Sequence, residues 1–391
     1  MNASAGCPCE DDLVTVSSRV DRGIWRPLTV QALLLALLLI AAFPGFVLHG
    51  ERIAPGDLLF LTRPWEFYAP PDFERPANPL MPDVVTAFVP YYALTRMALE
   101  KGEWPLWNHL EYGGMPLLGN AQSAVFYPPR LLHELFELHL ATSFYILLKL
   151  WLCGMTAFIC ARCLGLSLAV SRFFSIAWML GGFNLLWSYW SLPDVAAWLP
   201  ILFLGTEWVI EARYRKGIFT MAIGGALMLL AGHPETAFIM AAGVGQYFFL
   251  RLLLGQRWGY ALIRPLAAAA AAWSLALCFC AAQLIPFIEY LAYSSTLYDR
   301  GTHGLAPGLS LDAVVAFFAP RFYGTSADGN YWGSPALSSN AYMMIYPGIA
   351  VWLGICCLAA RGKFPPAHRH RIFSLLVVSL FGILLAFDAP T

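Results

Sequence analysis

The sequence has little charge: only 12% of its 391 residues are Asp, Glu, Lys or Arg, and 24 acidic residues balance 24 basic ones. With no basic surplus to neutralise phosphates, nucleic acid is excluded as a partner. Cysteine is missing from the two longest stretches that are not continuously apolar, 49–142 and 287–345, so no disulfide holds either of them. Cys7 and Cys9 lie near the N-terminus, and the other seven cysteines lie in or beside apolar runs. Cys160 and Cys163 have C-x-x-C spacing, but without a second pair, helix packing is the plainer reading. There is no tandem repeat. Residues 1–27 contain Glu10, Asp11, Asp12 and Asp21, and the apolar run after them is too long for a signal core; an acidic cytoplasmic tail is the expectation.

Apolar residues make up 59% of the chain and gather in long runs nearly free of charge. Continuous apolarity predicts bilayer-spanning helices, because barrel strands would alternate. The runs lie near 28–48, 143–161, 173–187, 195–210, 218–231, 237–253, 266–286, 346–360 and 372–387. The expected fold is therefore an all-α polytopic membrane protein of about nine transmembrane helices. Positive charge is retained on the cytoplasmic side. Arg19, Arg22 and Arg26, then Arg162 and Arg172, then Arg213, Arg215 and Lys216 fall on one side of this arrangement. Arg251, Arg257, Arg264, Arg361, Lys363, Arg369 and Arg371 continue the alternation, and the short opposite loops 188–194 and 232–236 carry no Lys or Arg. The prediction is a cytoplasmic N-terminus with both long loops outside. The expected layout is a tail (1–27), a membrane module (28–286) that includes the outer loop 49–142, a second outer loop (287–345) and C-terminal helices (346–391).

The first loop is far longer than an ordinary connection and holds the densest chemistry. Pro70, Pro71, Pro76, Pro79 and Pro82 rule out one long helix, and Asp83 stands at an N-cap position before a helix expected over Val84–Lys101. That helix is too polar to span and is expected to lie along the membrane surface. A second amphipathic piece covers Pro129–Leu140. Between them, Trp107, Asn108, Asn120, Gln122 and Tyr127 stand among Gly113, Gly114 and Gly119. Aromatic rings beside amide side chains on glycine turns suit a sugar site, since rings stack on pyranose faces and amides pair with hydroxyls. The alternative is an aromatic belt anchoring the loop among headgroups.

Several segments together resemble the bacterial YfhO-type membrane proteins of the GT-C glycosyltransferase superfamily. They are Asp83 with Pro90 and Tyr91, the run from Gly102 to Asn108, Gly113-Gly114-Met115-Pro116, the run from Asn120 to Pro129, and Gly232-His233-Pro234-Glu235. The resemblance covers about residues 30 to 350; members of that family are generally longer, with further spans. It implies a GT-C-like bundle in the bacterial cytoplasmic membrane that takes a sugar from a polyprenyl-phosphate carrier and attaches it to an extracytoplasmic glycan acceptor. It also implies catalysis by acidic residues of the first outer loop. Asp83 matches that position best, as the general base on the acceptor hydroxyl, with inversion at the anomeric carbon. Asp57, just beyond the first span, is the second catalytic candidate.

Further residues extend this expectation, each with a plainer alternative. Asp57, Asp83 and Asp194 offer oxygen ligands for Mg²⁺ or Mn²⁺, or Asp194 simply caps a span after Pro193. His233 and Glu235 occupy a turn at the membrane surface and would contact the carrier phosphate or the acceptor, although a turn alone explains Gly232 and Pro234. Lys149, about two turns into the second span, would neutralise the lipid phosphate, or its stem lets the ammonium snorkel outward. Arg321 after Pro320 would grip phosphate bidentately, or is merely solvated; Arg300 and His303 share its loop. Two rival functions stand beside the transferase: a lipid-linked sugar transporter or flippase, expected to place charges and broken helices at mid-membrane, and an inactive envelope-assembly protein.

Overall fold

A computed structural model of the protein describes residues 25–255, 259–295, 308–334, 339–361 and 368–387. Cys7, Cys9, Arg19, Arg22, Arg257, Arg300, His303 and Lys363, named above, lie outside the described residues. The described chain is overwhelmingly helical, and its principal helices are α1 (Trp25–Ala42), α2 (Val89–Glu100), α3 (Leu138–Cys163), α4 (Leu168–Met179) and α5 (Leu199–Ile210). They continue with α6 (Tyr214–Leu230), α7 (Pro234–Leu254), α8 (Ile263–Ala292), α9 (Ile349–Arg361) and α10 (Arg369–Ala386). The one sheet among the described residues is a ribbon of β1 (Trp107–Asn108) and β2 (Met115–Pro116), paired antiparallel.

Among the described residues, six helical stretches are long and apolar enough to cross a bilayer: Leu138–Cys163, Leu168–Leu186, Leu192–Ile210, Pro234–Leu254, Gly259–Ala292 and Arg369–Ala386. By length and composition this is a multi-pass membrane protein. The other three expected spans correspond to α1, α6 and α9, of 18, 17 and 13 residues. At 1.5 Å per residue α9 reaches only about 20 Å, well short of a hydrocarbon core of roughly 30 Å, whereas α1 and α6, at about 27 and 26 Å, come within one turn of it, as α10 does. Helix α1 stops at Ala42 and the chain restarts as a separate turn, Pro44–His49, because Pro44 cannot continue the helix.

Close helix contacts rest on small residues. A Cβ on Gly217 would lie 2.9 Å from the Gly205 carbonyl oxygen, and one on Gly205 would lie 2.6 Å from Met221 Cγ, so α5 and α6 touch backbone to backbone. Two of the spans are broken. Leu168–Leu186 interrupts at Leu180 and Gly181, and Leu192–Ile210 divides into Leu192–Ala196 and α5 around Ala197 and Trp198.

At one end of the bundle, Glu207 draws three helices together. Its carboxylate, only 1% exposed, accepts from Tyr247 Oη at 2.7 Å, from Arg251 Nε at 2.7 Å and from Arg371, and Arg371 also reaches Glu211 at 2.5 Å. Arg251 ends α7 and Arg371 begins α10, so the two meet on a single face of the bundle. That is the arrangement the alternating charge requires.

The long loop covers the opposite end. A π-helical turn, Val84–Phe88, leads into α2, close to the expected helix. Val84, Phe88, Tyr91, Tyr92 and Thr95 form its buried stripe at helical spacing, and the apolar ones pack with Leu117, Trp187, Trp190 and Leu138. The expected cap at Asp83 is not made: Asp83 has helical dihedrals (φ −56°, ψ −28°) and its side chain forms no cap bond. Helical structure already begins at Pro82, leaving Asp83 inside the first turn. The Pro129–Leu140 piece is two short turns, Pro128–Leu131 and Leu132–Leu135, followed by a break and then the start of α3.

Candidate functional site

Two features mark the loop-bearing end: a pair of accessible aspartates and an aromatic cleft. Asp57 lies in the turn Gly56–Leu61, where its Oδ2 accepts the Ala77 amide at 2.6 Å. Asp83 is exposed, and its Oδ2 accepts the Trp190 indole N–H at 3.4 Å. The hydroxyl of neighbouring Tyr189 is pushed above its ordinary pKa by burial and then by the negative charge of Asp57. The Asp57 charge is thus felt at Tyr189, and Asp83 meets the next residue, Trp190.

Asp194 does not join them. It is fully buried in the bundle, with Lys149 Nζ 2.8 Å from its Oδ2, and Lys149 is itself 1% exposed. The ammonium also donates to the Trp190 carbonyl at 2.7 Å and sits 4.5 Å from the centre of the Tyr145 ring. Lys149 thus neither snorkels nor faces lipid; its partner is a carboxylate at the start of the broken span Leu192–Ile210. Nor are the three aspartates gathered around one point. Among the described residues no three His, Cys, Asp or Glu side chains are grouped to hold a metal ion, and Asp194 already answers a cation. We derive no step through a metal.

The cleft, about 520 Å³, lies between the ribbon and the last turns of α8. Trp107, Pro116 and Gly119 form one wall; Pro286, Glu289 and Tyr290 form the other. Two glycines make this geometry possible. Gly114 has φ +122°, and a Cβ there would meet Trp107 Nε1 at 2.6 Å, so only glycine lets the indole lie across the ribbon. A Cβ on Gly119 would press to 3.0 Å from the Pro286 carbonyl oxygen and 3.2 Å from Tyr290 Cβ. The loop can therefore seat directly on the proline-interrupted end of α8.

The remaining candidates divide between framework and surface. Asn108 is buried and shapes the ribbon turn, donating to Glu111 Oε2 at 2.9 Å and accepting the Leu110 amide at 2.9 Å. Asn120 caps the turn Ala121–Ser123 through the Gln122 amide, and Gln122 lies half-buried in that turn. Tyr127 is core: its hydroxyl accepts from Trp198 Nε1 at 3.0 Å and donates to the Asp194 carbonyl at 3.4 Å. His233 caps α7 through the Thr236 amide at 3.3 Å, and burial lowers its pKa below the ordinary value. A Cβ on Gly232 would lie 3.0 Å from that of Ala124, so the Gly-His-Pro-Glu turn packs on the Asn120 turn; Glu235 is exposed beside it. Arg321 is exposed on the second loop.

Sequence reasoning passed over Arg130, His133 and Glu289. Arg130 is 7% exposed, donates to the Ser123 carbonyl at 2.9 Å and lies 3.1 Å from the centre of the Tyr92 ring. His133, 1% exposed, packs between Tyr92 and Tyr145, its ring tilted to the first and edge-on to the second; burial, then the Arg130 charge, drive its pKa from 6.5 to about 2. The signal was present in Pro-Pro-Arg ahead of a span, but charge counting disregards long outer loops. Glu289 fell beyond the expected end of its helix at 286, which in fact continues to Ala292. No family model, curated protein or solved structure matches the chain.

Proposed function

We propose that the protein is a membrane glycosyltransferase of the GT-C kind, related to the YfhO-type proteins. In this reading it moves a sugar from a polyprenyl-phosphate carrier to a glycan acceptor outside the bacterial cytoplasmic membrane, and its full bundle follows the nine-helix plan. One observation carries the proposal: the segments 82–100, 104–129 and 232–235, far apart in sequence, pack together at one end of an apolar bundle. At that end stand two accessible carboxylates, Asp83 in the first of these segments and Asp57 in the turn Gly56–Leu61, together with an aromatic cleft. A lipid-anchored donor and a polar acceptor meet naturally at such an end.

Asp83 is the general base in this reading. Its carboxylate takes the proton of the acceptor hydroxyl while that oxygen attacks the anomeric carbon and the bond to the carrier phosphate breaks. The phosphate leaves with the bonding electrons, and the anomeric configuration inverts. The Trp190 indole, donating to Oδ2, orients the carboxylate and leaves Oδ1 for the substrate. Asp83→Asn keeps the shape and removes the base. In membrane vesicles supplied with lipid-linked sugar, transfer is expected to fall about 10²- to 10⁴-fold with unchanged protein level. Undiminished transfer would remove Asp83 from the mechanism.

A transporter or flippase is the second reading, favoured by the buried Lys149 and Asp194 pair beside two interrupted spans. Proteoliposomes separate the two. Movement of lipid-linked sugar between leaflets without loss of the sugar from its carrier supports transport; release of carrier phosphate supports transfer.

A further inference from the structure

The aromatic cleft has a chemical character that the transferase reading does not require. Its walls carry the rings of Trp107, Tyr290 and Tyr293 and one carboxylate, Glu289, with no Lys, Arg or His. Trp107 and Glu289 are exposed and Tyr290 half-buried, so the rings and the carboxylate are available to a ligand. A second carboxylate, Glu111, stands behind the ribbon, held by Asn108 at 2.9 Å. Its field reaches Tyr91, whose hydroxyl is pushed above its ordinary pKa by burial and then by Glu111, with Tyr290 contributing. Glycines 114 and 119 let the walls approach closely.

Aromatic faces stack on the C–H faces of a pyranose, and aromatic faces with carboxylates attract an ammonium group. A phosphate or carboxylate ligand would meet only negative charge here. We propose that this cleft binds a protonated amino sugar of the acceptor glycan, with the ring on Trp107 and Tyr290 and the ammonium at Glu289. A zwitterionic ethanolamine headgroup fits less well, because its phosphate would enter a lining that holds no cation. The word acceptor rests on the transferase reading; the binding does not.

The test uses full-length protein in nanodiscs and two probes, a glucosamine tetrasaccharide and its fully N-acetylated counterpart, titrated calorimetrically at neutral pH. The glucosamine form is expected to bind about tenfold more tightly, the size of one ammonium contact with rings and a carboxylate. Glu289→Gln should lose that tenfold preference while keeping affinity for the acetylated form, and Trp107→Ala should weaken both. Equal affinities in the parent, or an unchanged preference in Glu289→Gln, overturns the proposal. So does competition by glycerophosphoethanolamine at the concentration at which glucosamine competes, because the site would then be a headgroup site. Should Trp107→Ala misfold, Trp107→Phe, with a smaller ring, is expected to show the same weakening in milder form. Asp83→Asn is expected to bind normally, so a failed transferase reading and a failed binding site give different results.

Discussion

Asp194 and Glu207 are buried carboxylates on the same interrupted span, yet the molecule treats them differently. Glu207 is surrounded by donors: Tyr247, Arg251 and Arg371 all reach it, and it binds α5, α7 and α10 at the arginine-bearing end. Asp194 has one cation, Lys149, from a neighbouring span. The Glu207 cluster is redundant and joins three helices, which marks it as a clamp. The Asp194 pair is minimal, and Lys149 also holds the carbonyl of Trp190, whose indole meets Asp83. A single ion pair thus underlies the floor of the candidate site, where a change in one partner would be felt at Asp83.

Removing one member of each cluster tests this contrast. Lys149→Met removes the paired cation from a fully buried carboxylate, and the expected loss is about 3–5 kcal/mol, read as a lower midpoint of thermal unfolding in detergent. Lys149→Met with Asp194→Leu removes both charges and should recover most of that loss. Arg371→Ala leaves Glu207 with Arg251 and Tyr247, so the expected loss is smaller, about 1.5–3 kcal/mol, with faster amide exchange along α10. If Arg371→Ala proves the more damaging, Asp194 has further support and the contrast between the clusters is wrong.

The apolar runs predict the helices well, because a bilayer-spanning segment must satisfy its backbone internally and leaves a long apolar signature. They predict lengths poorly. Apolarity does not register Pro44 stopping α1 at Ala42, the break at Gly181, or the continuation of α8 past Pro286 to Ala292. The helix after Pro82 was legible from Phe88, Tyr91 and Tyr92 at helical spacing, whereas the aspartate expected to cap it lies inside its first turn, because helical structure begins one residue earlier, at Pro82. At the site, Trp107 and the glycines were readable as a platform. The opposing wall of Glu289 and Tyr290 was not, because it comes from a helix far away in sequence whose contact at Gly119 leaves no local trace. Lys149 and Asp194 were each legible as unusual, but their partnership appears only in three dimensions.

The smallest expected effect separates the two ends by pH. His133 stays neutral in the folded protein, its pKa driven from 6.5 to about 2, while in the unfolded chain it takes up a proton near its ordinary value. Above pH 6.5 both states leave it neutral and it exerts no pull. As pH falls below 6.5 the unfolded chain gains a proton that the folded one refuses, so stability is present above that pH and is lost progressively toward 2. The ring is 1% exposed and faces Arg130, Lys149, Tyr92 and Tyr145, so little solvent screens this effect, while burial pushes the nearby Glu134 carboxyl above its ordinary value. Between pH 6.5 and 5 the loss should be about 1–2 kcal/mol. Comparison with His133→Gln, which has no titrating ring, isolates that share from Glu134. Melting curves with equal pH slopes in parent and variant would mean that His133 takes up its proton in the folded state. The loop-bearing end would then be no drier at this point than the surface, and Arg130 beside it would be an ordinary solvated cation.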